Sequence, residues 1–210
     1  EKAIEGFQRA NNDRPSDALK SLIVKVKDHV HLLKDLKDQK PPHYLFIFDL
    51  VENAKRRIAD GRFDDATARL YRAFEALSQY LLKSFKIESG KPDYSLLPED
   101  RQKRLRENWK GDLPSKISME AGWAILFYLD HPSTKNLMKT DEITGEATID
   151  GDLKNLLGKR NNSILAHGYD PIDERAVNAL LSKIESILNN ALPIETKAYR
   201  ARFEFPRLSE

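Results

Sequence analysis

The feature that most limits what this chain can become is a pair of apolar helical runs on either side of Gly61. Leu45, Phe46, Phe48, Leu50 and Val51 crowd the stretch from His43 to Ala59, and Leu70, Phe74, Leu77 and Leu81 recur at steps of three and four between Asp64 and Phe85. The joint is short. Gly61 stands where a C-terminal cap is needed, Asp64 can cap the second run, and Phe63 can pack back as a staple. Two helices joined so closely return antiparallel, which predicts a long helical hairpin. On its surface, Glu52 and Arg56 are spaced as an i, i+4 ion pair and Arg72 and Glu75 as an i, i+3 pair.

Around that hairpin the remaining segments also read as helix. Leu19, Leu22, Ile23, Val26, Val30, Leu33 and Leu36 trace a stripe that ends at Asp38-Gln39-Lys40-Pro41-Pro42, and Asn11 to Pro15 break the chain ahead of it. His29 and His31 are two apart, diverge on a helix, and read as surface or interface residues rather than ligands. A short helix is expected from Pro98, carrying Arg101, Lys103, Arg104, Arg106 and Lys110 with Trp109 among them. Such a run could meet phosphate and a base, but it is more often a solvated face with its aromatic tucked inward. Ile117 to Leu129 is apolar nearly all round and is the expected central helix, stopped at His131-Pro132. Ile143 to Ile149 alternates around Gly145 and suggests a small hairpin. Asp170-Pro171 is expected to open a last long helix, and Ala198 to Pro206 an extended strap carrying Phe203 and Phe205.

The 210 residues carry 32% charged and 40% hydrophobic side chains, enough for a real core and too apolar for disorder. There is no cysteine, which excludes disulfides, thiolate metal sites and cysteine nucleophiles and fits an intracellular, cytoplasmic setting. No apolar run approaches the ~20 residues of a membrane span. A net charge of +2 provides no global basic field, so any contact with nucleic acid must be local.

The chemistry concentrates in Gly158-Lys159-Arg160-Asn161-Asn162-Ser163-Ile164-Leu165-Ala166-His167-Gly168. As a helix from about Asp152, it places Leu153, Arg160 and His167 seven residues apart, with Leu156, Leu157 and Ile164 on the same stripe. A permanent cation and a side chain that exchanges protons near neutral pH do not belong on an apolar stripe without partners. Spacing alone favours a structural pair: Arg160 on a carboxylate and His167 bonded near a helix end. The helix either continues to His167 or breaks at Asn161-Asn162-Ser163, all weak helix formers.

Arg160-Asn161, five residues and then His167 resemble the signature of HEPN ribonucleases. Arg-Asn-Asn-Ser-Ile-Leu-Ala-His-Gly is similar to their CRISPR-associated branch, as are Asn53 to Arg57 and Gly-Arg-Phe-Asp-Asp-Ala-Thr-Ala-Arg-Leu-Tyr-Arg-Ala-Phe-Glu over 61–75. The resemblance covers roughly residues 43–206. It implies an all-α bundle of HEPN type around the hairpin, with 42–210 the HEPN domain; residues 1–41, to which the resemblance does not extend, are expected to form an N-terminal helical arm or linker from an upstream domain. It also implies catalytic roles for Arg160, Asn161 and His167. Arg56, Arg69, Arg72, Glu75 and Ser163, with Glu52 beside them, become a shell that binds substrate or orients Arg160.

The activity so implied is endonucleolytic cleavage of single-stranded RNA by a homodimer without metal or other cofactor. An upstream CARF sensor of cyclic oligoadenylate is the implied partner. On a straight helix Arg160 and His167 would stand ~10 Å apart along the axis, a gap that a site shared between two copies removes. The alternative is a non-catalytic helical module that dimerises or binds RNA or a nucleotide.

Overall fold

The computed structural model describes residues 17–161 and 170–203. Its frame is the expected hairpin, α2 (Tyr44–Ala59) and α3 (Phe63–Leu82), preceded by α1 (Asp17–Lys37). His43 caps α2 by accepting the Leu45 N–H at 3.3 Å. At the far end Gly61 has φ 70°, its N–H bonds Ile58 O at 2.9 Å, and the Arg62 N–H bonds Arg57 O at 2.8 Å. That left-handed turn closes the last carbonyls of α2, and glycine adopts it without a Cβ penalty. Asp64 does not cap α3, which has no side-chain cap: α3 starts one residue earlier, at Phe63, so Asp64 already lies within its first turn. Its neighbour Asp65 gathers Arg57 at 3.2 Å, Arg62 at 3.5 Å and Arg69 at 3.1 Å. Because Arg57 comes from α2, the closed end of the hairpin is tied electrostatically as well as by the turn.

The remaining helices are α4 (Glu99–Asn108), α5 (Met119–Tyr128), α6 (Gly151–Asn161), α7 (Glu174–Ala191) and α8 (Ile194–Arg200). The centre of the bundle is α3, not the segment from Ile117 to Leu129. α3 touches α2, α5, α6 and α7, and buries Leu70, Phe74 and Leu77 completely. α5 is only 10 residues long, and it lies along one side of α3 with Trp123 stacked on Phe74 at 4.7 Å. Length decides this: α5 is buried nearly all round, as its composition implies, but a helix of 20 residues has room to meet more of the other helices than one half as long.

Between α5 and α6, strands β1 (Met138–Thr140) and β2 (Ala147–Ile149) pair antiparallel, with Lys139 opposite Thr148. The hairpin was expected within 143–149; its first strand lies earlier because Ile143 belongs to the turn, 96% exposed. Asp141 Oδ1 shapes that turn by accepting the N–H groups of Ile143 and Thr144 at 3.0 and 2.8 Å.

Further expectations are corrected at the ends of the chain. α7 opens at Glu174, where Asp173 accepts the Ala176 N–H at 2.7 Å, rather than at Asp170-Pro171. Residues 198–203 are helical, α8 running into a 3₁₀ turn at Ala201–Phe203, although Phe203 does pack inward against Phe48 at 6.2 Å. Phe205 lies outside the described residues. On α1, Leu32 is buried while Leu33 is 46% exposed. His29 is also buried rather than on the surface, its Nδ1 3.2 Å from the Arg202 carbonyl oxygen.

Candidate functional site

α6 lays the predicted stripe against the bundle. Leu153 and Leu157 are 2% and 3% exposed, Leu156 packs beside them, and Arg160 follows one turn later on the same face, half-buried. The guanidinium carbon of Arg160 stands 5.1 Å from the centre of the Tyr71 ring. That contact comes from α3, so the arginine rests on the most deeply embedded helix in the bundle. An apolar stripe carries its stem inward and an aromatic face receives its charge.

Tyr71 also lies in the field of two carboxylates. Burial pushes the Tyr71 phenol above its usual pKa, and the negative charges of Glu75 and Glu120 push the same way against the opposing pull of Arg160. The phenol therefore stays protonated and neutral through the physiological range. Glu75 in turn accepts Arg72 Nη1 at 2.7 Å, and the same nitrogen reaches Gln79 at 3.4 Å. The i, i+3 pair read from the sequence is present.

The other members of the expected shell have partners elsewhere. Arg69 binds Asp65, about 160° around α3 from Tyr71. Arg56 lies 3.9 Å from Asp49. The expected Glu52–Arg56 pair is not formed. Glu52 points inward, only 4% exposed, and is taken by Lys55 at 2.7 Å and by Arg200 of α8 at 3.6 Å. Glu185 of α7 completes that group, 3.0 Å from Lys55 and paired with Arg200. A carboxylate drawn into the interior is captured by whatever cations the tertiary fold brings there, which local spacing does not encode.

Ser163 and His167 lie outside the described residues, as does the side chain of Asn161. The choice between a helix continuous to His167 and a break at Asn161-Asn162-Ser163 lies there too. Tyr71 was missed by sequence reasoning. Its signal was available, since it stands four residues before Glu75 and so shares a face with it.

Four cations of the run from Arg101 to Lys110 are exposed and have partners within the chain. Arg101 sits over Phe85 at 4.9 Å, Arg104 pairs with Asp130, Lys103 lies 3.9 Å from Glu107, and Lys110 bonds the Thr144 carbonyl. Trp109 is half-buried edge-on to Tyr128. The ordinary reading of that run fits better than a nucleic-acid patch. Among the described residues no His, Cys, Asp and Glu side chains cluster to hold a metal ion, and no helix is long and apolar enough to cross a membrane.

An all-α bundle centred on a long helical hairpin, with an arginine-bearing helix laid on the hairpin's second arm, defines this as a HEPN-type domain. The chain belongs to the Csm6 HEPN domain family, whose sequence pattern matches residues 35–191, about three quarters of its length. It is a CRISPR-associated HEPN domain. Comparison with curated proteins finds no match.

Proposed function

We propose that this protein is a metal-independent endoribonuclease acting on single-stranded RNA through Arg160, Asn161 and His167. The observation that carries the reading is Arg160, presented half-exposed at the end of a buried leucine stripe, inside a segment that the Csm6 HEPN family pattern spans. RNA supplies the nucleophile. The ribose 2′-oxygen forms a bond to phosphorus as the bond from phosphorus to the 5′-oxygen breaks, one proton leaving the 2′-hydroxyl and another reaching the 5′-oxygen. The products are a cyclic 2′,3′-phosphate and a 5′-hydroxyl.

The protein's task is then to move protons and to stabilise charge on the phosphorane. His167 is the group suited to proton transfer near neutral pH. Arg160 can grip two phosphate oxygens with its planar fork, and Asn161 can add a hydrogen bond beside it. The site is shared between two copies of the chain, which brings Arg160 and His167 of different protomers to one phosphate. In the cell it acts in the cytoplasm as the antiviral effector of a CARF sensor that binds cyclic oligoadenylate.

Cleavage of a fluorescent single-stranded RNA in EDTA tests this. Wild type should cut, His167→Ala should lose ~10²–10⁴-fold, and Arg160→Lys should be severely impaired because a point charge does not reproduce the fork. No cutting by wild type at high enzyme concentration would replace this reading with a non-catalytic helical module that dimerises or binds RNA.

A further inference from the structure

We propose that a row of tyrosines and lysines at the open end of the hairpin is a second foothold for single-stranded RNA, stacking bases on Tyr44, Tyr80 and Tyr199 and drawing phosphates to Lys83, Lys86 and Lys91. As a binding site for the substrate of the Arg160 centre, the row rests on the ribonuclease reading, although binding is measurable apart from cutting.

The antiparallel hairpin brings the first residue of α2 against the last turns of α3, so the Tyr44 and Tyr80 rings meet with centres 6.3 Å apart. His43 joins them, 4.3 Å from Tyr44 and 6.4 Å from Tyr80, and α8 adds Tyr199 at 6.1 Å from Tyr44. The guanidinium carbon of Arg202 stands 5.6 Å from the Tyr199 ring centre. Tyr44 and Tyr80 are half-buried, which anchors the row, while Tyr199 is 40% exposed. The rings are neutral near pH 7. Burial and the phenols of Tyr199 and Tyr80 push the Tyr44 pKa above its usual value, and burial together with Lys83 pushes that of His43 below 6.5. Neutral aromatic surface of this kind receives an unstacked base whatever its identity.

Charge complementarity selects RNA as the occupant. Lys83 follows Tyr80 by three residues; its Nζ donates to the Pro42 carbonyl at 3.0 Å and keeps two further donors. It also lines a cleft of about 510 Å³ with Lys86, Lys91 and Leu96, whose side chain is 54% exposed. That volume lies within the roughly 300–1,000 Å³ of small-ligand clefts. Glu88 and Asp93 share the lining, but Asp93 is engaged by the Ser95 N–H at 3.0 Å and the Ser95 hydroxyl at 2.6 Å. Unlike the four partnered cations between Arg101 and Lys110, Lys86 and Lys91 belong to no ion pair among the described residues. In a chain of net charge +2, such a local excess beside stacking rings is what a contact with single strands requires. Arg72, Gln79 and Lys83 continue one exposed line along α3, and Lys83 stands ~18 Å along the axis from Tyr71, a span of a few nucleotides.

The test measures fluorescence anisotropy of a labelled single-stranded RNA whose 2′-hydroxyls are methylated, so that it cannot be cut, against the full chain and variants of unchanged melting temperature. Tyr199→Leu should weaken binding by about 5- to 150-fold, the range of one stacked base, while Tyr199→Phe stays near wild type. Tyr199→Met stands in should Leu fail to fold. The triple variant Lys83→Gln/Lys86→Gln/Lys91→Gln should weaken binding and reduce the slope of log affinity against log salt by about 2. With cleavable RNA the losses should appear in KM. If a folded Leu or Met variant binds as wild type does, or if Tyr199→Phe falls as far as Leu, no base stacks there and the row is overturned. An unchanged salt slope in the triple variant would equally remove the lysines and overturn it. Wild type that binds no single-stranded RNA would also overturn it, leaving the surface to a protein partner. Wild type that binds the methylated RNA through these residues but cuts no cleavable RNA would sink the ribonuclease reading and leave the foothold standing.

Discussion

His131 illustrates how one side chain can carry a pH dependence without any part in catalysis. Its Nδ1 accepts the Ser133 N–H at 3.3 Å and its ring stands edge-on to Phe85 at 6.0 Å, so this local cap requires an unprotonated nitrogen. Burial pushes its pKa below the usual 6.5. Arg104, Asp130 and Lys135 line the same cleft. The folded state thus disfavours the imidazolium, so the contribution is complete above the unfolded pKa and is lost as pH falls from there toward the lower folded value. His131→Asn, whose carbonyl can cap in place of Nδ1, should match wild type in melting temperature at about pH 8 and lose less on acidification to about pH 5. Parallel acid profiles for the two would remove His131 as a source of that slope. At this scale Arg160 was legible because a cation at a helical repeat of leucines contradicts its surroundings. Tyr71 was not, because a tyrosine near an apolar stripe contradicts nothing, and only the tertiary contact brings it to Arg160.

Among the elements, α3 and α5 approach each other closely at Gly122. A Cβ built on Gly122 would lie 2.9 Å from Ser78 Oγ and 3.3 Å from Ser78 Cβ, so glycine is needed here for space. Gly122→Ala should destabilise by about 1–3 kcal/mol through overpacking, visible as a lower urea midpoint. Adding Ser78→Ala should restore part of the loss by removing the nearer atom. A single variant as stable as wild type would show that the helices can separate at no cost. The hairpin itself was readable from periodicity and Gly61 because both are local. The central role of α3 was not, since apolar density in Ile117–Leu129 says that a segment is buried but not which helix the others surround. The same limit explains Ala198–Phe203, where two aromatics spaced like a strand belong to a helix end and a 3₁₀ turn.

For the whole molecule, the group formed by Glu52, Lys55, Glu185 and Arg200 joins α2, α7 and α8 through buried or half-buried charges. Glu52→Gln should cost about 1–3 kcal/mol in chemical denaturation, less than a fully enclosed pair because Lys55 is still 34% exposed. An unchanged denaturation curve would mean that Glu185 alone suffices for both cations. This network was illegible in the sequence because its members are up to about 150 positions apart and each has a plausible local partner.

The contact between His29 and the Arg202 carbonyl spans 173 positions. A chain made from its N-terminus completes α1 early, yet the turn at Ala201–Phe203 against which α1 packs is among the last described residues to be synthesised. Closure of so long a loop brings its reward only after the intervening bundle has shortened the effective distance between its ends. During synthesis, therefore, His29 on α1 meets its carbonyl partner only after the rest of the described bundle has been made. The length of that interval is set by how much chain separates the two residues, a property of the order of synthesis rather than of the strength of the contact.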